Sequence, residues 1–286
     1  NPEVFRFLVK SGANIKAKDF LKNTIIHHAL GNSSFELFKE IADLTKTKFD
    51  DSNFEKYMKQ VNYIDYLCQH WNSLGIPFYK KEREKLPFIL CAALNPDIRV
   101  LDYLKEKGCN IFAGNFEKNV IAYALINNTN PNMVNYLLGN KIDNKLYDLV
   151  FESIYKNTSV DVWKRVFDLG FPFEYQDENG TTLVMKVLKD NPEPEPDVVA
   201  LLSHEKTVNL KDNYGLTACH YAAQKDDVIY LQILHSKGAK INERENYQNT
   251  TPLMVACCKS SNPAIIDFLV KTGPTINERC LNGNDA

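Results

Sequence analysis

A glycine that closes an apolar helical pattern returns about every 33 residues, and this spacing restricts the fold more than any other feature of the chain. Gly75, Gly108, Gly170, Gly238 and Gly273 fall on the ruler, with Lys141 and Glu205 in the intervening slots, in steps of 29 to 35 residues. Gly12 lies 63 residues before Gly75, which leaves room for one more unit ending near Leu44. A period of this length marks a repeat architecture. One such unit cannot bury its apolar face alone, so neighbours must stack to make a continuous core.

Two kinds of segment alternate along the period. The first kind reads "DFLKNTIIHHAL" from Asp19, "DENGTTLVMKVL" from Asp177, "DNYGLTACHYAA" from Asp212 and "NYQNTTPLMVAC" from Asn246. Each has a polar tip, then threonine, then a short helix of small and apolar residues. Thr24, Thr182, Thr217 and Thr251 stand where a hydroxyl can cap free helical N–H groups, and Pro252 occupies a first helical position. The second kind reads "NPEVFRFLVKSGANI" from Asn1, "VLDYLKEKGCNI" from Val100, "VIYLQILHSKGAKIN" from Val228 and "NPAIIDFLVKTGPTIN" from Asn262. Val4, Phe7 and Leu8, like Ile265, Phe268 and Leu269, form i, i+3, i+4 stripes of amphipathic helices. Asn-Pro at 1–2, 95–96, 130–131 and 262–263 predicts helix starts with Asn as cap. The closing glycines predict left-handed helix ends, so Lys141 and Glu205 imply strain or a different ending.

These segments resemble the ankyrin repeat, whose period is about 33 residues. Its Thr-Pro-Leu-His helix start survives in pieces, as "TTPLM" at Thr250, "TACH" at Thr217 and "TIIH" at Thr24. The resemblance is closest over Asn1–Leu30 and Thr207–Asn277. It implies an all-α solenoid of stacked helix-turn-helix units with short β-hairpin-like fingers. The expected domain is a single solenoid over 1–286, with about eight to nine units including partial ones at both ends, and degenerate units near 45–79 and 142–173. Between Lys141 and Gly170 the period shortens and no finger signal precedes the helix, which predicts a missing finger. Trp71 and Trp163 fall in second helices of the two degenerate units and read as core fillers. "DNPEPEPD" at 190–197 reads as an extended, solvated bulge.

Cys219 beside His220 raises the question of a thiol–imidazole pair. His27, Tyr123 and Met254 share the slot of His220, and a slot that tolerates Tyr or Met is structural. In the family this histidine ties adjacent loops by hydrogen bonds. Cys219 takes the place of Leu253 and reads as a core residue. No phosphate-binding glycine loop, zinc-protease helix or nucleophile elbow occurs, so no catalytic, cofactor or metal residue is expected.

Composition narrows the partner. A net charge of −2 offers no overall positive field for nucleic acid or anionic lipid. The longest apolar run, Leu86 to Leu94, is about half of a membrane span. Seven cysteines without paired spacing argue against disulfides and point to a reducing, cytoplasmic setting. The expected function is therefore protein or peptide binding on a concave surface of finger tips and inner helices. Slot by slot, Phe20, Lys22, Phe116, Lys118, Tyr214, Tyr247 and Gln248 are expected at finger tips. His28, Leu90, Ala124, Lys186, Tyr221 and Val255 are expected on the inner helix face. The alternative is a targeting or regulatory module of a larger enzyme or effector, or the cytosolic part of a channel. Asn1 begins at a second helix and "CLNGNDA" stops inside a finger, which suggests a monomeric module of a longer chain.

Overall fold

The computed structural model describes residues 2–19, 24–32, 34–49, 88–109, 115–273 and 278–282, with the side chains of residues 32, 88 and 115–119 excepted. Trp71 and the degenerate unit near 45–79 therefore lie almost wholly outside the described residues. The chain divides into two compact units, Asn1–Lys141 with Glu152–Asn157, and Ile142–Phe151 with Thr158–Ala286.

The first unit contains α1 (Pro2–Lys10), α2 (Ile25–Asn32), α3 (Phe35–Thr45), α4 (Phe88–Ala93), α5 (Arg99–Glu106), α6 (Asn115–Asn127) and α7 (Pro131–Leu138). First helices stack in the row α2, α4, α6, and each touches its own second helix. Leu30, Leu90, Leu101, Leu104, Ile121, Leu125 and Met133 are fully buried in this core. An edge-on contact between Phe38 and Tyr103, with ring centroids 5.3 Å apart, extends the core between α3 and α5. Val4, Phe7 and Leu8, the apolar stripe of α1, remain exposed.

The second unit continues the scheme. A single 3-10 turn, Asn144–Leu146, runs straight into α8 (Tyr147–Ile154), and α9 (Val160–Asp168) follows. Asp143 caps that turn through Lys145 N at 2.9 Å, so a helical turn stands where the following units have a finger, as the lack of a finger signal in the sequence predicts. Trp163 on α9 is fully buried and stacks on Phe167. It is core, as its reading as a filler expects. Next come α10 (Leu183–Asp190), α11 (Pro196–Leu202), α12 (Ala218–Ala222), α13 (Ile229–Ser236), α14 (Pro252–Lys259) and α15 (Pro263–Thr272). First helices α10, α12 and α14 form one row, and α9, α11 and α13 form the other. The described parts of both units are thus all-α, with extended pairing limited to single bridges at Lys18–Thr24 and Gln176–Thr182.

Helix ends follow the expected chemistry with three corrections. Gly12, Gly108, Gly170 and Gly238 hold positive φ values of 84° to 95°. Gly273 does not, having φ −92°. Lys141 is not the closing residue of its unit. Gly139, at φ 72°, ends α7 instead, 31 residues after Gly108 and 31 before Gly170, so neither strain nor an irregular step is needed there. Asn130 and Asn262 cap α7 and α15 as expected. Asn95 does not cap a helix, because α5 begins only at Arg99.

The Asn95 amide is buried and does something else. Its Nδ2 donates to Leu30 O at 2.9 Å. Asn128 donates to Ala93 O and Asn95 O, and Asn157 donates to Leu125 O and Asn128 O. Each amide satisfies carbonyls at the end of the preceding first helix, groups that a helix cannot satisfy internally. In the second unit a lysine fills the role once: Lys225 Nζ donates to Asn191 O at 2.6 Å.

Candidate partner-binding surface

The fingers of the second unit are built on one acidic residue each. The Asp177 carboxylate accepts from Asn179 N and Thr181 N, and that of Asp212 from Tyr214 N and Leu216 N. Glu245 accepts from Tyr247 N, Gln248 N and Thr250 N at 2.6 to 3.1 Å. This third finger is one residue longer, and the extra methylene of Glu over Asp spans it. Burial pushes the Glu245 carboxyl up, but the three N–H bonds outweigh burial and hold it below the usual carboxylate range. Gly180, Gly215 and Asn249 supply a positive φ just before each finger closes.

Neighbouring fingers are tied through their backbones. Asn213 N donates to Asn179 O, Asn246 N to Tyr214 O and Leu281 N to Gln248 O, all at 2.8 to 2.9 Å. Tyr214 and Tyr247 consequently sit side by side, ring centroids 5.9 Å apart, with 51% and 64% of their surfaces exposed. Gln248 is exposed beside Tyr247.

His220 lies under this row. Thr217 N donates to its Nδ1 at 3.0 Å, so the proton is on Nε2, which donates to Thr250 O of the next finger at 3.1 Å. The Thr217 hydroxyl lies 2.9 Å from Nδ1 and is engaged there rather than on helical N–H groups; Thr24 and His27 repeat that contact. Where methionine holds the slot, in α10 and α14, the Thr182 and Thr251 hydroxyls cap the helix as expected. Burial is the largest influence on His220 and holds its imidazole below the ordinary value, against the Thr250 carbonyl and the Glu245 charge. Cys219 is buried and its thiol is pushed up to about 12, the reverse of an activated nucleophile. The pair is part of the scaffold.

Placement of the other expected surface residues is mixed. His28 is exposed, with Nε2 3.0 Å from Asp19 Oδ2. Lys186 is half-buried, paired with Asp190 at 3.1 Å. Val255 is half-buried on α14. Tyr221, expected on the inner face, is buried instead, because its hydroxyl turns inward and donates to Asp212 Oδ2 at 2.5 Å. Leu90 and Ala124 are also buried, on helices α4 and α6 that pack against each other. Residues 116 and 118, expected at a finger tip, fall in the opening turns of α6. No threonine stands just after residue 118 to start the helix later, as Thr182, Thr217 and Thr251 do in other units. Phe20 and Lys22 lie outside the described residues.

Sequence slots missed a cleft of about 290 Å³ at the foot of the third finger, between Gln224, Gln248, Met254, Val255, Cys258 and Lys259. Its lining draws on the end of α12, the third finger and α14, which no local pattern joins. Among the described residues, no group of three or more His, Cys, Asp or Glu could hold a metal ion, and no helix is long and apolar enough to cross a membrane. Residues 185–280 match the family model for ankyrin repeats in three copies. No curated protein matches the chain.

Proposed function

We propose that the chain, whose residues 185–280 match ankyrin repeats, a class of protein–protein interaction modules, binds a partner protein or peptide on the finger and inner-helix surface of its second unit. The observation that carries this reading is the exposed Tyr214–Tyr247 pair on two fingers locked together by hydrogen bonds. Aromatic side chains supply large contact area with little rotamer entropy to lose, and they are enriched at binding hot spots. A pair pre-positioned on locked fingers presents that area at a reduced ordering cost on association. Gln248 and His28 are exposed polar candidates on the same class of surface, and Phe20, Lys22, Phe116 and Lys118 are candidates by sequence slot alone. Lys186 contributes less, since Asp190 already holds its charge. In this reading the protein acts by binding in the cytoplasm, as a monomeric module without chemistry of its own.

The double variant Tyr214→Ala, Tyr247→Ala tests it. Both rings are more than half exposed, so the melting temperature should stay within about 2 °C of wild type, as for most surface substitutions. Proteins captured by the wild type on affinity purification from cells should be lost or reduced at least tenfold. Full retention of that set by the double variant would overturn the proposal.

A further inference from the structure

We propose that the cleft at the foot of the third finger takes an extended peptide bearing an apolar side chain beside a carboxylate, with a second carboxylate five to six residues away; this rests on the reading of the second unit as the binding face. The cleft, at about 290 Å³, sits at the bottom of the range for small-molecule sites, and suits one or two side chains better than a cofactor. Met254, Val255 and Cys258 make its floor apolar, and Gln224 and Gln248 place amides at its edges, where they can pair with a peptide backbone.

Charge selects the partner. Lys259 lines the cleft, is exposed, and has no ion pair among the described residues. Lys189, exposed at the end of α10, holds the slot that Gln224 has after α12 and Cys258 has on α14, and its ammonium lies over the Tyr221 ring at 5.9 Å. Four carboxylates of this face are engaged within the protein, one by a cation and three by neutral donors. Asp190 pairs with Lys186, Asp212 accepts from Tyr221 and its turn, Glu245 holds the finger, and Asp226 accepts from Ser261. Among the described residues that line the cleft, Lys259 is the one charged side chain. Lys189 and Lys259 are two helices apart in one row, about 16–20 Å at ordinary packing distances. An extended strand rises about 3.3 Å per residue, which gives the five-to-six-residue spacing.

A random dodecapeptide phage library panned on the intact protein tests this, followed by fluorescence anisotropy with the enriched peptide. Enriched sequences should carry an apolar residue next to Asp or Glu, and a second acidic residue at the stated spacing. Lys259→Glu should weaken that peptide at least tenfold without altering the melting curve, and a peptide with its adjacent acid changed to Lys should regain binding to the variant. In a Cys257→Ser background the peptide should slow alkylation of Cys258 by iodoacetamide at least fivefold. No enrichment, enrichment without acidic residues, unchanged affinity of the Lys259 variant, or an unprotected Cys258 would each overturn the proposal. Such a failure is distinguishable from failure of the broader reading, because loss of cellular partners in the double tyrosine variant does not depend on Lys259.

Discussion

His220 carries more of the fold than its neighbours do, because both ring nitrogens are committed. Nδ1 receives the Thr217 N–H and Nε2 donates to a carbonyl of the next finger, all inside a site from which water is excluded. His220→Ala leaves those groups unpaired and should destabilise the second unit by about 1–3 kcal/mol, measured by denaturant unfolding. The proton itself adds a pH dependence. An unfolded histidine takes up a proton at about 6.5. In the folded protein the value is lower, so below 6.5 the unfolded chain binds a proton that the folded chain refuses. Stability contributed by neutral His220 is therefore full above pH 6.5 and is lost as pH falls through that value toward the folded one. Comparing unfolding free energies at pH 7.5 and 5.5 should show a smaller drop in His220→Gln than in the wild type; an equal drop would assign the acid sensitivity to other groups. The role of this residue was legible in the sequence because its slot recurs as His27, Tyr123 and Met254. Burial of Tyr221 was not legible. Its direction depends on Asp212, nine residues away, having an oxygen free of the turn it also closes.

At the scale of the element, finger and helix ends obey local rules that a sequence displays and lateral rules that it hides. The period, the threonine starts, most glycine stops and the absent finger before α8 are local and could be read directly. The asparagine amides that join successive loops bond across 29 to 65 residues, so Asn95 looked like a cap when read beside Pro96 alone. Gly139 hides in the sequence for a similar reason: the 33-residue ruler falls on Lys141, whereas the helix ends where glycine permits a positive φ. The same contrast between local and lateral demands separates two glycines. Gly238, at φ 84°, has nothing within 4 Å of an added Cβ. Gly215, at φ 82°, would place that Cβ 2.7 Å from Asn246 N, in the middle of the junction between two fingers. Gly238→Ala should cost about 1–2 kcal/mol, the ordinary penalty of a left-handed residue with a side chain. Gly215→Ala should cost more, about 2–4 kcal/mol, since the backbone penalty and the displaced junction add. Thermal melts of the two variants would settle the order, and equal losses would mean the fingers are not mechanically joined.

At the scale of the whole molecule, repeats that touch only their neighbours make stability a sum of unit and interface terms, so damage should stay near its source. The chain's two compact units offer matched places to test this. In the first, Asn128 is buried and satisfies the carbonyls of Ala93 and Asn95. In the second, His220 holds the finger that ends at Thr250. Asn128→Ala and His220→Ala remove side chains of similar importance, each leaving buried polar groups unpaired, but in different units. Amide hydrogen exchange reads local opening residue by residue. Asn128→Ala should speed exchange through α4, α6 and α7 while leaving α12 to α15 within about twofold of wild type, since a loss of about 1–3 kcal/mol confined to one unit raises opening there by about 5- to 150-fold. His220→Ala should give the reverse pattern. Uniform acceleration across both units in either variant would mean that the chain opens as one cooperative body, and the additive picture would fail at the level where it makes its strongest claim.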